Sequence, residues 1–169
     1  MNQGLDCANA FLKVYSQRAK DNVMQTWQTE LYDSTRASTY VLFSEFGFKK
    51  YLDMILISKY MYALTRLKTS NHRLAIESGR WTKSHSTPRS DRKSQLCNTL
   101  EDEFHFMLKC PLYRVIYIRK YWRKRTHMHK FIEFFKSENS IVVKNVATYV
   151  YKKSMEKRNN VLYMIANYD

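Results

Sequence analysis

Phe11-Leu12-Lys13-Val14-Tyr15-Ser16-Gln17-Arg18-Ala19-Lys20-Asp21-Asn22-Val23 decides the fold class. Phe11, Tyr15, Ala19 and Val23 recur every four residues, Trp27 and Leu31 continue the series, and Ala8 and Leu12 widen it. Lys13, Gln17, Lys20 and Gln28 occupy the opposite side. This is the pattern of a long amphipathic helix. Its apolar stripe is expected to pack in the core or against a partner helix. Asp33-Ser34-Thr35 is its polar stop.

The rest of the chain leans the same way. Only three Gly and two Pro occur among 169 residues, and turn-rich β architectures need more of both. Apolar residues make up 44%, enough for a core. The expected fold is therefore mostly α, a compact multi-helix domain with a long N-terminal helix.

Further helices follow from local pattern. Thr39-Tyr40-Val41-Leu42-Phe43 reads as a short strand or an extended link. Leu52, Ile55, Leu56, Tyr60, Met61 and Leu64 predict one helix over about 50–65. A shorter helix is predicted over about 71–78, with Ser70 as N-cap and Gly79 as the left-handed residue behind it. Residues 80–95 are the least hydrophobic stretch and read as a loop.

Glu101-Asp102-Glu103 opens a short helix to Lys109, the acids suiting the helix dipole. Pro111 is placed to begin another, with Leu112, Val115, Ile116, Tyr121 and Trp122 on its inner face. Phe131, Ile132, Phe134 and Phe135 cluster on a short helix. Asn139 or Ser140 caps the last helix, lined by Val142, Val146, Tyr149 and Val150. The β-branched run Ile141–Val143 keeps a strand open there.

Charge narrows the partners. Twenty-nine Lys and Arg face 15 Asp and Glu, a net charge of +14. Such an excess suits a polyanion, and 15% aromatics with 13 Tyr favour RNA or DNA over a membrane surface. One basic group comprises Arg66, Lys68, Arg73, Arg80, Lys83, Arg89, Arg92 and Lys93. Another comprises Arg119, Lys120, Arg123, Lys124, Arg125 and Lys130. Arg80, Lys83, Arg89, Arg92, Lys93, Arg119, Arg123 and Lys124 are the expected phosphate contacts, and Trp81, Tyr121 and Trp122 can stack on unpaired bases. The bland alternative for these runs is a solvated helix face plus an import-like basic segment.

Met1-Asn2-Gln3-Gly4 is polar with no apolar run behind it, and no stretch approaches the roughly 20 apolar residues of a membrane span. Cys7, Cys97 and Cys110 are odd in number and widely spread. A reducing, intracellular and nuclear setting is expected, with thiols free for metal.

Ser94-Gln95-Leu96-Cys97, then His105, then Cys110-Pro111 carry the chemistry. Seven residues separate Cys97 from His105, and four separate His105 from Cys110. Zinc takes four soft or borderline ligands in a tetrahedron, commonly Cys and His. Cys97, His105 and Cys110 supply three at workable spacing. Free cysteines also serve simply as small buried hydrophobes.

The stretch from about Tyr60 to Tyr113 resembles the C-terminal region of reverse transcriptases of non-LTR retrotransposons. Leu64-Thr65-Arg66-Leu67-Lys68-Thr69-Ser70-Asn71-His72-Arg73-Leu74-Ala75-Ile76-Glu77-Ser78-Gly79-Arg80 looks like the segment before that family's zinc-knuckle-like module. An Arg-containing linker, Ser94-x-x-Cys97 at a Cys-x-x-Cys site, an acidic tract, His105-Phe106 and Cys110-Pro111-Leu112-Tyr113 follow in the family's order. The resemblance implies zinc and nucleic-acid binding, and a terminal piece or stand-alone derivative of a polyprotein. The expected division is 1–79 helical, 80–113 basic linker and knuckle-like insertion, and 114–169 C-terminal helices packing on the same domain.

The departure is Ser94, a hydroxyl where the family has a thiolate, and hydroxyls are poor zinc ligands. Three outcomes are open: zinc on three protein ligands and water, substitution by His85, or a module held by packing alone. Nothing here resembles the polymerase's paired catalytic aspartates. A Gly-rich phosphate loop, a nucleophile elbow and a His-Glu-x-x-His pattern are also missing. A non-catalytic nucleic-acid-binding module is expected. A helical interaction module, packing on the rest of a polyprotein or another helical chain, is the alternative. A transposon remnant without selected function is a third reading.

Overall fold

A computed structural model of the chain describes residues 3–47, 49–81, 85–94, 97–111 and 128–166. The fold is mostly helical, as composition and periodicity require. Among the described residues the only β pairing is an isolated antiparallel bridge between Lys93 and Leu100. None of the described helices is long and apolar enough to cross a membrane. The chain divides at Gly47 into two units, Met1–Gly47 and Phe48–Asp169.

The first unit is helix α1 (Gln3–Asp33) and a return segment with a 3-10 turn at Tyr40–Leu42. The strand option for 39–43 is thereby replaced by a turn. Leu31 and Phe43 are buried, and Trp27 meets Phe46 edge-on at 5.5 Å. The remainder of the predicted stripe is not core: Phe11 is 69% exposed, and Leu12, Tyr15 and Val23 are exposed with it. Each four-residue step advances about 40° around the axis, so the series winds roughly 200° between Phe11 and Leu31. Residues 8–20 are exposed on every side of the helix, and burial begins only in its last turns, where Leu31 is buried and Trp27 meets Phe46.

The second unit holds α2 (Tyr51–Met54), α3 (Ser58–Lys68), α4 (Ala75–Ser78), a π-helical turn (His105–Lys109), α5 (Met128–Lys136) and α6 (Ser140–Ala166). The single helix predicted over 50–65 is two. Ile55 and Ile57 take extended backbone conformations, which turns Leu56 outward at 87% exposure. β-branched side chains tolerate that extension well. Helices α2 and α3 pack on α6, where Tyr60 meets Tyr151 at 5.2 Å. Asn139 Oδ1 accepts from the amides of Ile141 and Val142, the expected cap, and the β-branched run behind it is helical. Leu64, Leu67, Ile76, Phe106, Met107, Phe131, Phe135, Val146, Ala147 and Val150 form the core.

Helix α3 ends in a two-bond C-terminal lock. The Asn71 amide donates to Arg66 O at 2.8 Å and the Ser70 amide to Leu67 O at 3.4 Å. Ser70 takes φ 54° there. It therefore closes α3 rather than capping α4, and α4 starts only at Ala75. Gly79 has φ −67°, not the expected left-handed value. Its glycine identity is instead steric, because a Cβ would lie 2.7 Å from Arg92 Cγ and 2.9 Å from Ala75 O.

Lys68 is buried, although the sequence groups it with the surface cations. Its Nζ donates to Phe135 O at 2.7 Å and lies 4.2 Å from the Tyr51 ring centroid. Burial, with help from the Lys49 charge, pulls this lysine from its ordinary 10.5 down to about 8. Between those two values the unfolded chain binds the proton and the folded chain does not, so folding stability rises with pH there. A gap of that size corresponds to on the order of 3 kcal/mol. Wild-type protein should gain that much relative to Lys68→Met as pH rises through the window, read by urea unfolding at each pH. Parallel stability curves for the two chains would show the lysine is not held that way.

Candidate metal centre

A tight turn and a π turn bring the site together. The Lys93–Leu100 bridge starts the turn, the Ser94 amide donates to Thr99 O at 2.8 Å, and the Asn98 amide donates to Ser94 O at 2.9 Å. Asn98 adopts φ 50°, a left-handed value that asparagine tolerates better than most residues. Arg92 anchors the entry: its guanidinium donates to Thr87 O at 2.8 Å and Ile76 O at 2.9 Å. Then the chain reaches His105, whose carbonyl accepts from the Cys110 amide at 2.8 Å. This five-residue closure, one longer than an α-helical bond, brings Cys110 back beside His105.

The acidic tract 101–103 holds this arrangement in place. Glu101 accepts from the Ala75 amide at 2.8 Å and supplies the first-turn contact α4 lacks from its own side chains. Asp102 Oδ1 accepts from the His105 amide at 2.7 Å. Glu103 is buried and accepts from Ser70 Oγ at 2.7 Å, with His72 Nε2 at 2.9 Å. Burial pushes the Glu103 carboxyl up, but the His72 hydrogen bond and charge and the Ser70 hydroxyl outweigh it and hold it below its ordinary value. From sequence these acids read only as complements to the helix dipole.

Cys97, His105 and Cys110 converge, with their ligand atoms all within 4.8 Å of one another. Cys97 Sγ lies 3.1 Å from His105 Nε2 and 4.0 Å from Cys110 Sγ. Zinc bond lengths of about 2.3 Å to sulfur and 2.0 Å to nitrogen imply tetrahedral edges of roughly 3.8 Å between sulfurs and 3.5 Å between sulfur and nitrogen. The two separations from Cys97 lie within about half an ångström of those edges, and the His105–Cys110 pair lies within 4.8 Å, so the group could close on an ion by drawing those two donors together. Cys110 is 1% exposed and His105 is buried, while Cys97 is half-buried.

Two hydroxyls attend the donors. Ser94 is 3% exposed and its hydroxyl bonds the Cys97 sulfur. Thr99 Oγ1 lies 3.4 Å from Cys97 Sγ and 3.3 Å from either ring nitrogen of His105. Burial alone would raise the Cys97 thiol; hydrogen bonds from Ser94, Thr99 and Cys110 bring it below its ordinary value, which favours the thiolate a metal needs. Thr99 is the member of the site that sequence reasoning misses. Its only sequence signal is a hydroxyl within the turn between Cys97 and the acidic tract. His85 is exposed and outside this group.

The expected phosphate contacts separate into three classes. Arg89 and Lys93 are exposed. Arg80 bonds Glu77 at 3.1 Å and Arg92 is committed to backbone carbonyls, so both hold the local fold. Lys83, Arg119, Arg123 and Lys124 lie outside the described residues, as do Tyr121 and Trp122. Trp81 is exposed. No family model, curated protein or solved structure matches this chain.

Proposed function

We propose that this chain is a non-catalytic nucleic-acid-binding module organised around a three-ligand zinc centre, derived from the C-terminal region of a retrotransposon reverse transcriptase. The convergence of Cys97, His105 and Cys110 carries this reading, because it occurs where the resemblance expects a zinc-knuckle-like module. Zinc would be held by those three residues and would supply a rigid cross-link between the turn and the π turn. The net charge of +14 supports a polyanionic partner, RNA or DNA, in the nucleus. Arg89 and Lys93 present exposed charge beside the knuckle, and exposed Trp81 offers a stacking face.

Binding would be largely independent of sequence and sensitive to salt. A fluorescence titration with single-stranded RNA and DNA across salt tests it. Affinity should fall steeply with salt, and Arg89→Ala with Lys93→Ala should flatten the log–log slope by about 0.7 for each phosphate no longer neutralised. No binding at low salt, or an affinity indifferent to salt, refutes the reading.

A second reading rests on α1. Phe11, Leu12, Tyr15 and Val23 are exposed along one side, as expected of a helix that packs on another chain. A size measurement tests it: assembly lost on Leu12→Glu with Tyr15→Glu supports it, and a monomer at every concentration opposes it.

A further inference from the structure

Cys97 and Cys110 are both free thiols, and their sulfurs lie 4.0 Å apart although 13 positions separate them in sequence. A disulfide holds its sulfurs at about 2.0 Å, so the pair stands roughly 2 Å short of a bond. The two are unequally placed. Cys110 is 1% exposed, and its amide donates to His105 O at 2.8 Å. Cys97 is half-buried, and the next two residues of its turn, Asn98 and Thr99, are exposed. The Cys97 sulfur also has polar company: His105 Nε2 lies 3.1 Å away, and Thr99 Oγ1 donates to it at 3.4 Å. A thiol that serves only as a small buried hydrophobe needs none of this.

We propose that Cys97 and Cys110 form a redox-active dithiol that hydrogen peroxide closes to a disulfide, with Cys97 reacting first and Cys110 resolving. The Cys97 thiol passes its proton to His105 Nε2, and its sulfur attacks one peroxide oxygen. The O–O bond breaks, Cys97 becomes a sulfenic acid, and the other oxygen takes the proton and leaves as water. The Cys110 sulfur then attacks the Cys97 sulfur. The S–O bond breaks, the hydroxyl takes the Cys110 proton, and a second water leaves. The two sulfurs together lose two electrons, which reduce the peroxide. This state goes beyond the metal centre and excludes it. Zinc holds two thiolates roughly 3.8 Å apart, whereas a disulfide leaves no thiolate to bind it. A thiol reductant restores both donors.

Peptide mapping reads the bond directly. The full chain, reduced and stripped of metal with a chelator, is treated with hydrogen peroxide, alkylated and digested. It should lose two of its three thiols, both in one cross-linked peptide pair carrying Cys97 and Cys110, about 2 Da lighter than the reduced pair. Dithiothreitol should return them. Cys7→Ser should give the same cross-link. Cys110→Ser should stop at a Cys97 sulfenic acid captured by dimedone, and Cys97→Ser should leave Cys110 a thiol. The native chain should close the bond at least about tenfold faster than the chain in urea, because the fold holds the sulfurs together. Cys97 and Cys110 oxidised separately with no bond between them, or joined no faster than in urea, overturns the proposal. With no metal in the assay, that outcome leaves the zinc reading standing, and a chain that closes the bond yet binds no zinc supports the dithiol alone.

Discussion

Phe131→Ala lowers the stability of the second unit by about 3–5 kcal/mol, the cost of removing a large, fully packed aromatic side chain. Phe131 is 1% exposed on α5. Its ring meets Phe104 at 5.6 Å and Phe135 at 4.6 Å, both edge-on. Those ring pairs add to plain burial, because the positive ring edge faces a neighbour's negative face. The cavity opens between α5 and the residue immediately before His105, so the surroundings cannot close over it without shifting the π turn. Domains of this size are stable by only about 5–15 kcal/mol, so the variant sits near unfolding. Phe131→Leu keeps most of the volume and should cost less than half as much. Denaturant unfolding of both variants checks the order. A cost below about 1 kcal/mol for the alanine variant would mean this core is not packed as described.

His72→Leu should cost a similar amount for a different reason. Glu103 is buried, and its charge is held by Ser70 Oγ and His72 Nε2. Removing His72 leaves a buried carboxylate short of its strongest partner, at about 3–5 kcal/mol. Removing both partners is milder, because a well-packed apolar pair leaves neither polar group buried without its hydrogen bond. The double variant His72→Leu with Glu103→Met should recover most of the stability lost by His72→Leu. Equilibrium unfolding of the four chains, treated as a double-mutant cycle, reads the coupling directly. Independent, additive effects would mean Glu103 does not depend on His72.

Much of the fold was legible because helices declare themselves over many residues. The last helix announced its cap at Asn139 and its inner face at Val146 and Val150, and both hold. Local backbone choices were harder to read. Ile55 suits a helix face by spacing, yet the extended conformations of Ile55 and Ile57 break the helix. Ser70 has the chemistry of an N-cap, but its left-handed φ and its hydroxyl bond to Glu103 belong to the end of the helix before. That choice depends on a residue 33 positions away.

The candidate metal donors were legible from residue type and spacing. Thr99 was not, because it joins them only when the turn folds it back over Cys97. Counting cations also misassigns the buried ones. Lys68 and Arg92 add to the net charge, but each is committed to backbone carbonyls of the fold. Sequence carries charge; only packing tells which charge faces outward.

Zinc content after loading and exhaustive dialysis tests the central claim most directly. Wild type should retain about one zinc per chain, Ser94→Cys should retain it against stronger chelators, and His105→Ala should retain none. A wild type no better than His105→Ala, while Ser94→Cys holds its zinc, would contradict a working three-ligand centre and mark the site as one that needs its missing cysteine.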